Sequence, residues 1–407
     1  MKQFDVPEFY RSPIITALKA NRKLADPRKK DFTPSRISVG KTHFLVARHF
    51  GFCYGVENAI EKSYRAIAEN PGKRIFLLSQ MIHNPDVNAD LVANGITFLQ
   101  DTDGTQLIPF DELTSEDVVI IPAFGTTVEI ENILSEKGVN IASYNTTCPF
   151  VEKVWNRSEK LGETDHTIII HGKVNHEETR ATFSRAAQNS PALVVKDMKE
   201  AKLLALAIRG EMSNETFETT FSGKKTENFD MSLHLNKIGV VNQTTMLATE
   251  TQEITDFLRS VYIEKYGEAA IKNHIADTRD TLCYATNDNQ NSTYGLMEET
   301  ADLAFVIGGY NSSNTTHLVE LLEQKFPTYF IKGEGNIINS ETISSFDIHK
   351  KEVFQSTQFL PQKEELTIAI TSGASCPDSL VEQVILRILN LRGETVDTNH
   401  LPSNLFQ

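Results

Sequence analysis

The sequence predicts an α/β protein built from three similar units, each with a parallel-type sheet. Apolar strand-like runs alternate with helical patterns along most of the 407 residues, as in parallel sheets covered by helices. The four cysteines, Cys53, Cys148, Cys283 and Cys376, are 95, 135 and 93 residues apart, and removing the polar, aperiodic segment 211–235 makes these intervals similar. This length accommodates two or three domains.

The composition is that of an ordinary globular protein, and it excludes several classes. With 40% hydrophobic residues and no apolar run of ~18 residues, no membrane span is expected, and the N-terminus does not resemble an export signal. A net charge of −14 argues against nucleic acid as a partner. Four cysteines in a chain of this size do not make a disulfide scaffold, so we expect a cytoplasmic protein with buried, catalytic or metal-bound thiols.

The elements follow in order from the apolar patterns. The first strand, 42–50, ends at Gly51, and helical spacing then continues to Asn-Pro-Gly at 70–72. Further predicted strands are 74–82, 117–124, 139–144, 166–172, 237–243, 301–309 and 365–373, and a helix is predicted over 378–391. The predicted organisation is a basic N-terminal extension (1–42), three α/β units (43–147, 148–282 and 283–396) and a C-terminal tail (397–407).

Two segments are interpreted as additions to this framework. Residues 1–41 contain ten Lys or Arg and four Asp or Glu, which indicates either a solvated extension, the interpretation we favour, or an anion-binding arm. Segment 211–235 is interpreted as a surface insertion because it is polar and has no helical or strand period.

Polar and reactive side chains cluster at the predicted strand ends, where ligands bind in open α/β sheets. In chain order these ends read GFC, IHN, FGTT, TTC, HGKVNHEE, NQTT, LC, GYNSSN and TSGASC. The glycine-containing loops at 309–314 and 371–376 suit an anion such as phosphate, although Ser and Asn there are also ordinary helix caps. His83 and His176, each read alone, favour the interpretation as structural core or surface histidines.

Three of the cysteines are predicted at or just before a helix N-terminus. Free N–H groups and the helix dipole favour a thiolate there, and thiolates bind soft metals and iron–sulfur clusters. Pro149 after Cys148 suits a first helical position. The alternative is that each cysteine is a small buried hydrophobic residue, and no CxxC pair of the zinc-ribbon or bacterial ferredoxin type is present.

Together these stretches resemble the LytB-type family of 4-hydroxy-3-methylbut-2-enyl diphosphate reductases. The resemblance covers roughly 43–395 and consists of GFCYGV, IHN, TTCPFV, HGKVNHEE, NQTT, CYATNDNQ, GYNSSN and TSGAS in the family's order. The N-terminal segment and the insertion look like the longer cyanobacterial and plant-type branch. The resemblance implies three α/β units in pseudo-threefold arrangement around one 4Fe–4S cluster, which three cysteines hold while one iron stays open.

The resemblance also implies roles for individual residues. The implied metal ligands are Cys53, Cys148 and Cys283. The implied substrate-binding residues are His83, His176, Thr244, Ser312, Ser313, Asn314 and Ser375. Glu178 is implied as the proton donor, with Glu177 expected at the surface, and Cys376 is expected to pack. Phe124 stands where many members have a histidine, which removes one donor to the diphosphate.

The implied reaction removes the allylic hydroxyl with two electrons and yields isopentenyl and dimethylallyl diphosphates, the last step of the methylerythritol phosphate route. No G-x-G-x-x-G loop follows a strand, so the electrons are expected one at a time from a partner. The resemblance implies that this partner is a ferredoxin or a flavodoxin. Two alternatives remain open at this point: a cluster-dependent hydro-lyase acting on a phosphorylated substrate, and an electron carrier in which all four cysteines are ligands.

Overall fold

A computed structural model describes residues 4–276, 281–401 and 405–406. The chain forms two compact units. The terminal unit comprises the described parts of Met1–Glu57, His83–Asp86 and Tyr284–Gln407. The central unit comprises the described parts of Asn58–Ile82 and Val87–Cys283.

The secondary structure alternates between strands and helices, as the sequence predicts. The strands are β1 (Ser35–Val39), β2 (Thr42–Val46), β3 (Ile75–Leu77), β4 (Ile96–Phe98), β5 (Val118–Ile120), β6 (Thr167–His171), β7 (Ala192–Val195), β8 (Ile238–Asn242), β9 (Leu303–Ile307), β10 (Thr328–Ile331), β11 (Thr342–Asp347), β12 (Glu352–Thr357) and β13 (Leu366–Ser372). The α-helices are α1 (Pro13–Ala25), α2 (Tyr54–Glu69), α3 (Pro85–Ala93), α4 (Val128–Glu136), α5 (Pro149–Gly162), α6 (Glu177–Ala186), α7 (Met198–Arg209), α8 (Asn214–Thr220), α9 (Met231–His234), α10 (Ala248–Tyr266), α11 (Tyr284–Glu298), α12 (Ser313–Leu322) and α13 (Asp378–Leu391). Short 3₁₀ helices cover Glu8–Tyr10, Phe110–Glu112, Glu268–Asn273 and Glu334–Asn336.

The terminal unit is organised around a five-stranded sheet in the order β1-β2-β13-β9-β10. Only β1 runs antiparallel to its neighbour, while the other pairs are parallel. The central strands β9 and β13 are almost entirely buried, which explains why their sequences read as continuous apolar runs. An antiparallel pair, β11 and β12, completes the strands of this unit.

The central unit contains two three-stranded parallel sheets, ordered β4-β3-β5 and β7-β6-β8. Together with the terminal sheet they confirm the predicted fold class, α/β with parallel-type sheets. Among the described residues, no helix combines the length and the apolar character that crossing a membrane requires.

The N-terminal segment is not the solvated extension that its charge suggested. Helix α1 places Ile14, Ile15 and Leu18 in the hydrophobic core of the terminal unit, and β1 adds an edge strand to the sheet. Ser12 caps α1 by accepting a hydrogen bond from the Ile15 N–H at 3.0 Å. The prediction was wrong because charge describes the outer face of an amphipathic helix and ignores its apolar stripe.

Segment 211–235 likewise contributes to a core. It forms α8 and α9 and buries three aromatic rings, since Phe217, Phe221 and Phe229 are at most 5% exposed. The ring centroid of Phe217 lies 5.0 Å from that of Phe221 and 5.6 Å from that of Phe229. Most of the segment is exposed, so it lies at the surface, but the sequence did not predict its three buried rings. Three spaced phenylalanines in a polar background do not produce a clear period.

One predicted strand is absent. Residues 141–144 of the predicted strand 139–144 form a turn, and only a single bridge, between Ile121 and Asn145, extends β5. Val139 and Ile141 still pack on the core of the β3–β5 sheet. Apolar residues therefore lie inside as expected, but from a turn, which a short apolar run cannot distinguish from a strand.

Candidate active site

Three cysteines directly precede helices, as predicted. Cys53 comes before α2, Cys148 is the N-cap residue of α5, and Cys283 comes before α11. Pro149 occupies the first helical position of α5. All four cysteines are free of disulfides. Cys53 belongs to the terminal unit, whereas Cys148 and Cys283 belong to the central unit.

The helix start does not by itself hold Cys148 as a thiolate, which corrects the sequence prediction. Burial raises the pKa of Cys148 to about 12, and the nearby Cys283 thiol and Glu178 carboxyl act in the same direction. Hydrogen bonds from the N–H groups of Phe150 and Val151 lower the pKa but do not compensate. Desolvation exceeds the dipole effect in this position, so an anionic sulfur requires an additional positive charge such as a metal.

The donor set fits a thiolate-bound metal group in its chemistry. Cysteine thiolates are the ligands that iron–sulfur clusters use, and none of these three cysteines is in a disulfide. No group of three or more His, Cys, Asp or Glu side chains within the described ranges is arranged to hold a metal ion as it stands.

Cys376 lies in a different environment. Its side chain is fully buried in the hydrophobic core of the terminal unit, and burial raises its thiol pKa. Its thiol donates a hydrogen bond to the carbonyl of Pro377, 3.6 Å from the sulfur. The expected packing role agrees with this placement.

Glu178 is the most perturbed carboxyl group near these cysteines. It is 1% exposed at the start of α6, and burial raises its pKa to about 7. Thr244 opposes this rise through two hydrogen bonds to the carboxyl, from its N–H at 2.5 Å and from its Oγ1 at 2.9 Å. The loop that follows β8 therefore positions Thr244 next to Glu178, although 66 residues separate the two in the chain. A carboxyl group with this pKa can both hold and release a proton near neutral pH.

His176 is fixed beside Glu178 as the N-cap of α6. Its Nδ1 accepts a hydrogen bond from the Glu178 N–H at 3.2 Å, so in the neutral ring the proton is on Nε2. The Phe124 ring lies 5.4 Å from the imidazole, between centroids, at an interplanar angle of 82°. Phe124 thus takes part in the site through an edge-to-face ring contact rather than through a polar group.

Glu177 is buried, which contradicts its expected surface position. It is 6% exposed, and its carboxylate accepts a short hydrogen bond from Ser79 Oγ. The first turn of α6 therefore buries two consecutive acids in different surroundings. The sequence predicted an exposed Glu177 because adjacent helical residues point in different directions. In the structure, the loop after β3 covers the Glu177 side chain through Ser79.

In the terminal unit, the predicted anion loop 309–314 leads into α12. Ser312 is the N-cap of this helix, and its Oγ accepts a hydrogen bond from the Thr315 N–H at 3.3 Å. Ser313 and Asn314 occupy the first helical turn, and all three predicted residues are at most 4% exposed. Ser312 is thus a helix cap in this structure, which the sequence left open as an alternative.

Asn314 carries an unsatisfied donor. Its Oδ1 accepts hydrogen bonds from the Ala374 N–H at 3.1 Å and from Asn289 Nδ2 at 3.3 Å. Its Nδ2 is buried and has no partner among the residues that the structure describes. A buried unpaired donor is costly, and a ligand with acceptor oxygens can satisfy it.

Asn289 was not predicted. It lies on α11, six residues after Cys283, and only the run of buried polar residues in this helix signals a role.

His83 and Ser375 meet in the same unit. Ser375 Oγ donates to the His83 carbonyl at 3.3 Å, although 292 residues separate the two in the chain. Gly309 approaches the same carbonyl so closely that a Cβ there would lie 2.3 Å from the oxygen. The glycine before the Ser/Asn loop is therefore required for this approach. The terminal unit thereby unites His83, Ser312, Ser313, Asn314 and Ser375, and the central unit unites His176, Glu178 and Thr244.

Comparisons with known proteins identify the family. The family model described as LytB protein matches residues 44–389. A 4-hydroxy-3-methylbut-2-enyl diphosphate reductase from Gloeobacter violaceus is 38% identical over 394 residues, covering 96% of this chain and 90% of the relative. One from Synechococcus sp. strain RCC307 is 41% identical over 358 residues, covering 86% and 84%.

Two solved structures share the fold. The E-1-hydroxy-2-methyl-but-2-enyl-4-diphosphate reductase from Plasmodium falciparum has a TM-score of 0.60 at 21% identity and covers 87% of this chain and 89% of its own. An (E)-4-hydroxy-3-methyl-but-2-enyl diphosphate reductase, described as the terminal enzyme of the non-mevalonate pathway, has a TM-score of 0.51 at 24% identity and covers 87% and 100%.

Proposed function

The chain belongs to the LytB family, and we propose a role for each of its site residues in the reduction of 4-hydroxy-3-methylbut-2-enyl diphosphate. The protein is a reductase of the non-mevalonate route and forms isopentenyl and dimethylallyl diphosphates. The reaction replaces a C–O bond by a C–H bond. It consumes two electrons and two protons, and the hydroxyl group leaves as water.

The observation that carries the proposed mechanism is the buried Glu178 carboxyl held by Thr244. Loss of an allylic hydroxyl is slow unless the oxygen is protonated as it leaves, and a positioned carboxylic acid is a suitable donor. The pKa of about 7 means that roughly half of the Glu178 carboxyls are protonated at neutral pH. Thr244 orients the carboxyl through this hydrogen bond. We also assign its hydroxyl to the substrate's hydroxyl end.

Enzymes of the LytB family are iron–sulfur proteins. We assign Cys53, Cys148 and Cys283 as the ligands of one 4Fe–4S cluster with one open iron. When bound, the cluster supplies electrons and a Lewis-acidic iron for the substrate oxygen. The position of each of these cysteines directly before a helix supports this assignment, and burial means that Cys148 becomes anionic only beside a strong positive charge.

The diphosphate is assigned to the polar residues that the sequence predicts for it. Asn314 offers a buried Nδ2 donor, and His176 offers the proton on Nε2. Donors of this kind bind phosphate oxygens through charge-assisted hydrogen bonds. His83, Ser312, Ser313 and Ser375 complete the proposed set at the starts of helices or in strand-end loops.

The electron donor is proposed to be a ferredoxin or a flavodoxin, since the sequence contains no dinucleotide-binding loop. We propose no nucleic-acid partner, because the net charge is −14. A cytoplasmic location is proposed from the four free cysteines.

The two alternatives lose support. A hydro-lyase needs no external electrons, whereas the relatives are reductases. An electron carrier with four cysteine ligands would need Cys376, which packs in the core of the terminal unit. A carrier would also have no use for the buried pair of Glu178 and Thr244.

Anaerobic purification with iron and sulfide analysis tests the assignment. Replacement of Cys53, Cys148 or Cys283 by Ser should remove the cluster and reductase turnover. Cys376→Ser is the matched control and should keep both, since this residue lies in the apolar core. An iron-free wild-type protein, or a full cluster in any of the first three variants, would refute the three-thiolate assignment.

A further inference from the structure

The terminal unit contains a cavity of about 250 Å³ that no step of the proposed reaction uses. Its wall includes Cys53, and its positive residues are Lys19, Lys23, Lys29 and Arg48. The acidic residue in the wall is Asp288. The wall thus carries four basic side chains and one acidic side chain. The cavity is therefore electropositive, although the net charge of the chain is −14.

Part of this positive charge is not neutralised within the protein. Lys23 and Lys29 are exposed and form no ion pair within the described ranges of the chain. Lys19 is paired with Asp378 at 2.7 Å. Arg48 is 8% exposed and lies 3.7 Å from Asp26, and its Nε is buried without a partner among the described atoms.

The basic residues come largely from the N-terminal segment, which the site chemistry leaves unexplained. Helix α1 carries Lys19 and Lys23, and Lys29 follows it. The helix is anchored rather than loose, because Ile14 and Ile15 are fully buried and Lys19 is bonded to Asp378. The segment therefore holds these charges in a defined place beside Cys53.

Electron transfer from a donor protein requires a surface at which the donor can bind close to the cluster. Transfer between proteins slows steeply with distance, so a donor must approach a cluster ligand closely. Cys53 lines the cavity, and Tyr284, which also lines it, is 38% exposed and directly follows Cys283. A solvent-open cavity thus reaches one proposed ligand and the neighbour of another.

We propose that the rim of this cavity is the docking surface for an acidic one-electron carrier protein. This inference rests on the proposed function, because it takes Cys53 as a cluster ligand. Each docking event would pass one electron from the reduced carrier, which leaves oxidised, and two events supply one turnover. The local excess of lysine attracts an acidic carrier that the net charge of −14 would otherwise repel.

A charge-reversal experiment tests the surface. The double variant Lys23→Glu with Lys29→Glu is compared with wild type and with Lys199→Glu with Lys202→Glu on α7, which changes the net charge equally at exposed positions of the central unit. The probe is an acidic ferredoxin. Its binding is measured by calorimetry at low and high salt, and turnover is measured with reduced ferredoxin and with a small reduced dye.

The docking surface predicts that the Lys23/Lys29 variant binds ferredoxin at least about tenfold more weakly at low salt, with a smaller salt dependence. The ratio of ferredoxin-driven to dye-driven turnover should fall similarly, and the Lys199/Lys202 control should match wild type. Equal weakening in both variants, or none in either, would overturn the proposal. Absence of dye-driven turnover in the wild type would instead overturn the proposed function, so the two failures are distinguishable.

Discussion

Replacement of Glu178 by Gln tests the proton-donor assignment most directly. The substitution keeps the shape of the side chain and an acceptor oxygen for the Thr244 N–H, and the amide NH2 can donate to the Thr244 hydroxyl oxygen. The amide cannot donate the proton that the reaction requires. We expect Glu178→Gln to retain cluster and substrate binding and to lose about 10²–10⁴-fold in turnover, the usual contribution of a positioned acid.

The pH dependence of the wild type follows from the raised pKa. With a pKa of about 7, roughly half of the Glu178 carboxyls carry the proton at pH 7, whereas with the ordinary value of 4.5 only about one in 300 would. Because the protonated form is the active one, turnover should fall as pH rises through about 7. The free energy of unfolding should also fall as the pH rises. The folded state holds the proton more tightly than the unfolded chain, so on the order of 3 kcal/mol of stabilisation is lost between about pH 4.5 and 7.

One assay is steady-state turnover with a saturating artificial electron donor between pH 6 and 9. The other is denaturant unfolding of the metal-free protein across the window from about pH 4.5 to 7. Glu177→Gln is the matched control, since Glu177 is the adjacent buried acid and accepts its hydrogen bond from Ser79. The control should keep the alkaline fall in turnover, and Glu178→Gln should lose it. A native rate in Glu178→Gln, or a wild-type profile that stays flat across this range, would refute the assignment.

Further predictions concern binding, electrostatics and the core. Asn314→Ala should leave the cluster intact and weaken substrate binding about tenfold to a hundredfold in titration calorimetry, since a hydrogen bond to a charged group contributes ~1.5–3 kcal/mol; unchanged affinity would place the diphosphate elsewhere. Thr244→Val removes one bond that lowers the Glu178 pKa, so the alkaline limb of turnover should move to higher pH, and a downward shift would contradict this reasoning. Phe217→Ala should cost ~3–5 kcal/mol in urea unfolding if segment 211–235 is part of the core, and a change below ~0.5 kcal/mol would not fit its burial. Ser12→Ala should cost ~0.5–2 kcal/mol by the same measurement, because it removes the cap of α1, whereas an independent, solvated N-terminal segment predicts no change.

The framework of the fold could be read from local patterns. The helix predicted over 378–391 coincides with α13, Asp378–Leu391, because its apolar residues repeat with the helical period. The strands at 166–172 and 365–373 are likewise found as β6 and β13. Turns and edge strands were harder to predict from the sequence, and the pair β11–β12 was missed. Half-exposed residues in such strands leave only a weak alternation of apolar and polar residues.

The sequence by itself determined which residues stand at strand ends and helix starts, including Cys53, Cys148 and Cys283. These positions depend on the chain immediately before and after them, which the sequence contains. The tertiary structure alone decided the electrostatic state of the site. The pKa of Glu178 is raised and that of Cys148 reaches about 12 because other segments exclude water from both groups. The pairing of Glu177 with Ser79 joins residues that are 98 positions apart. Such burial depends on what packs around a side chain, and no local pattern in the sequence records it.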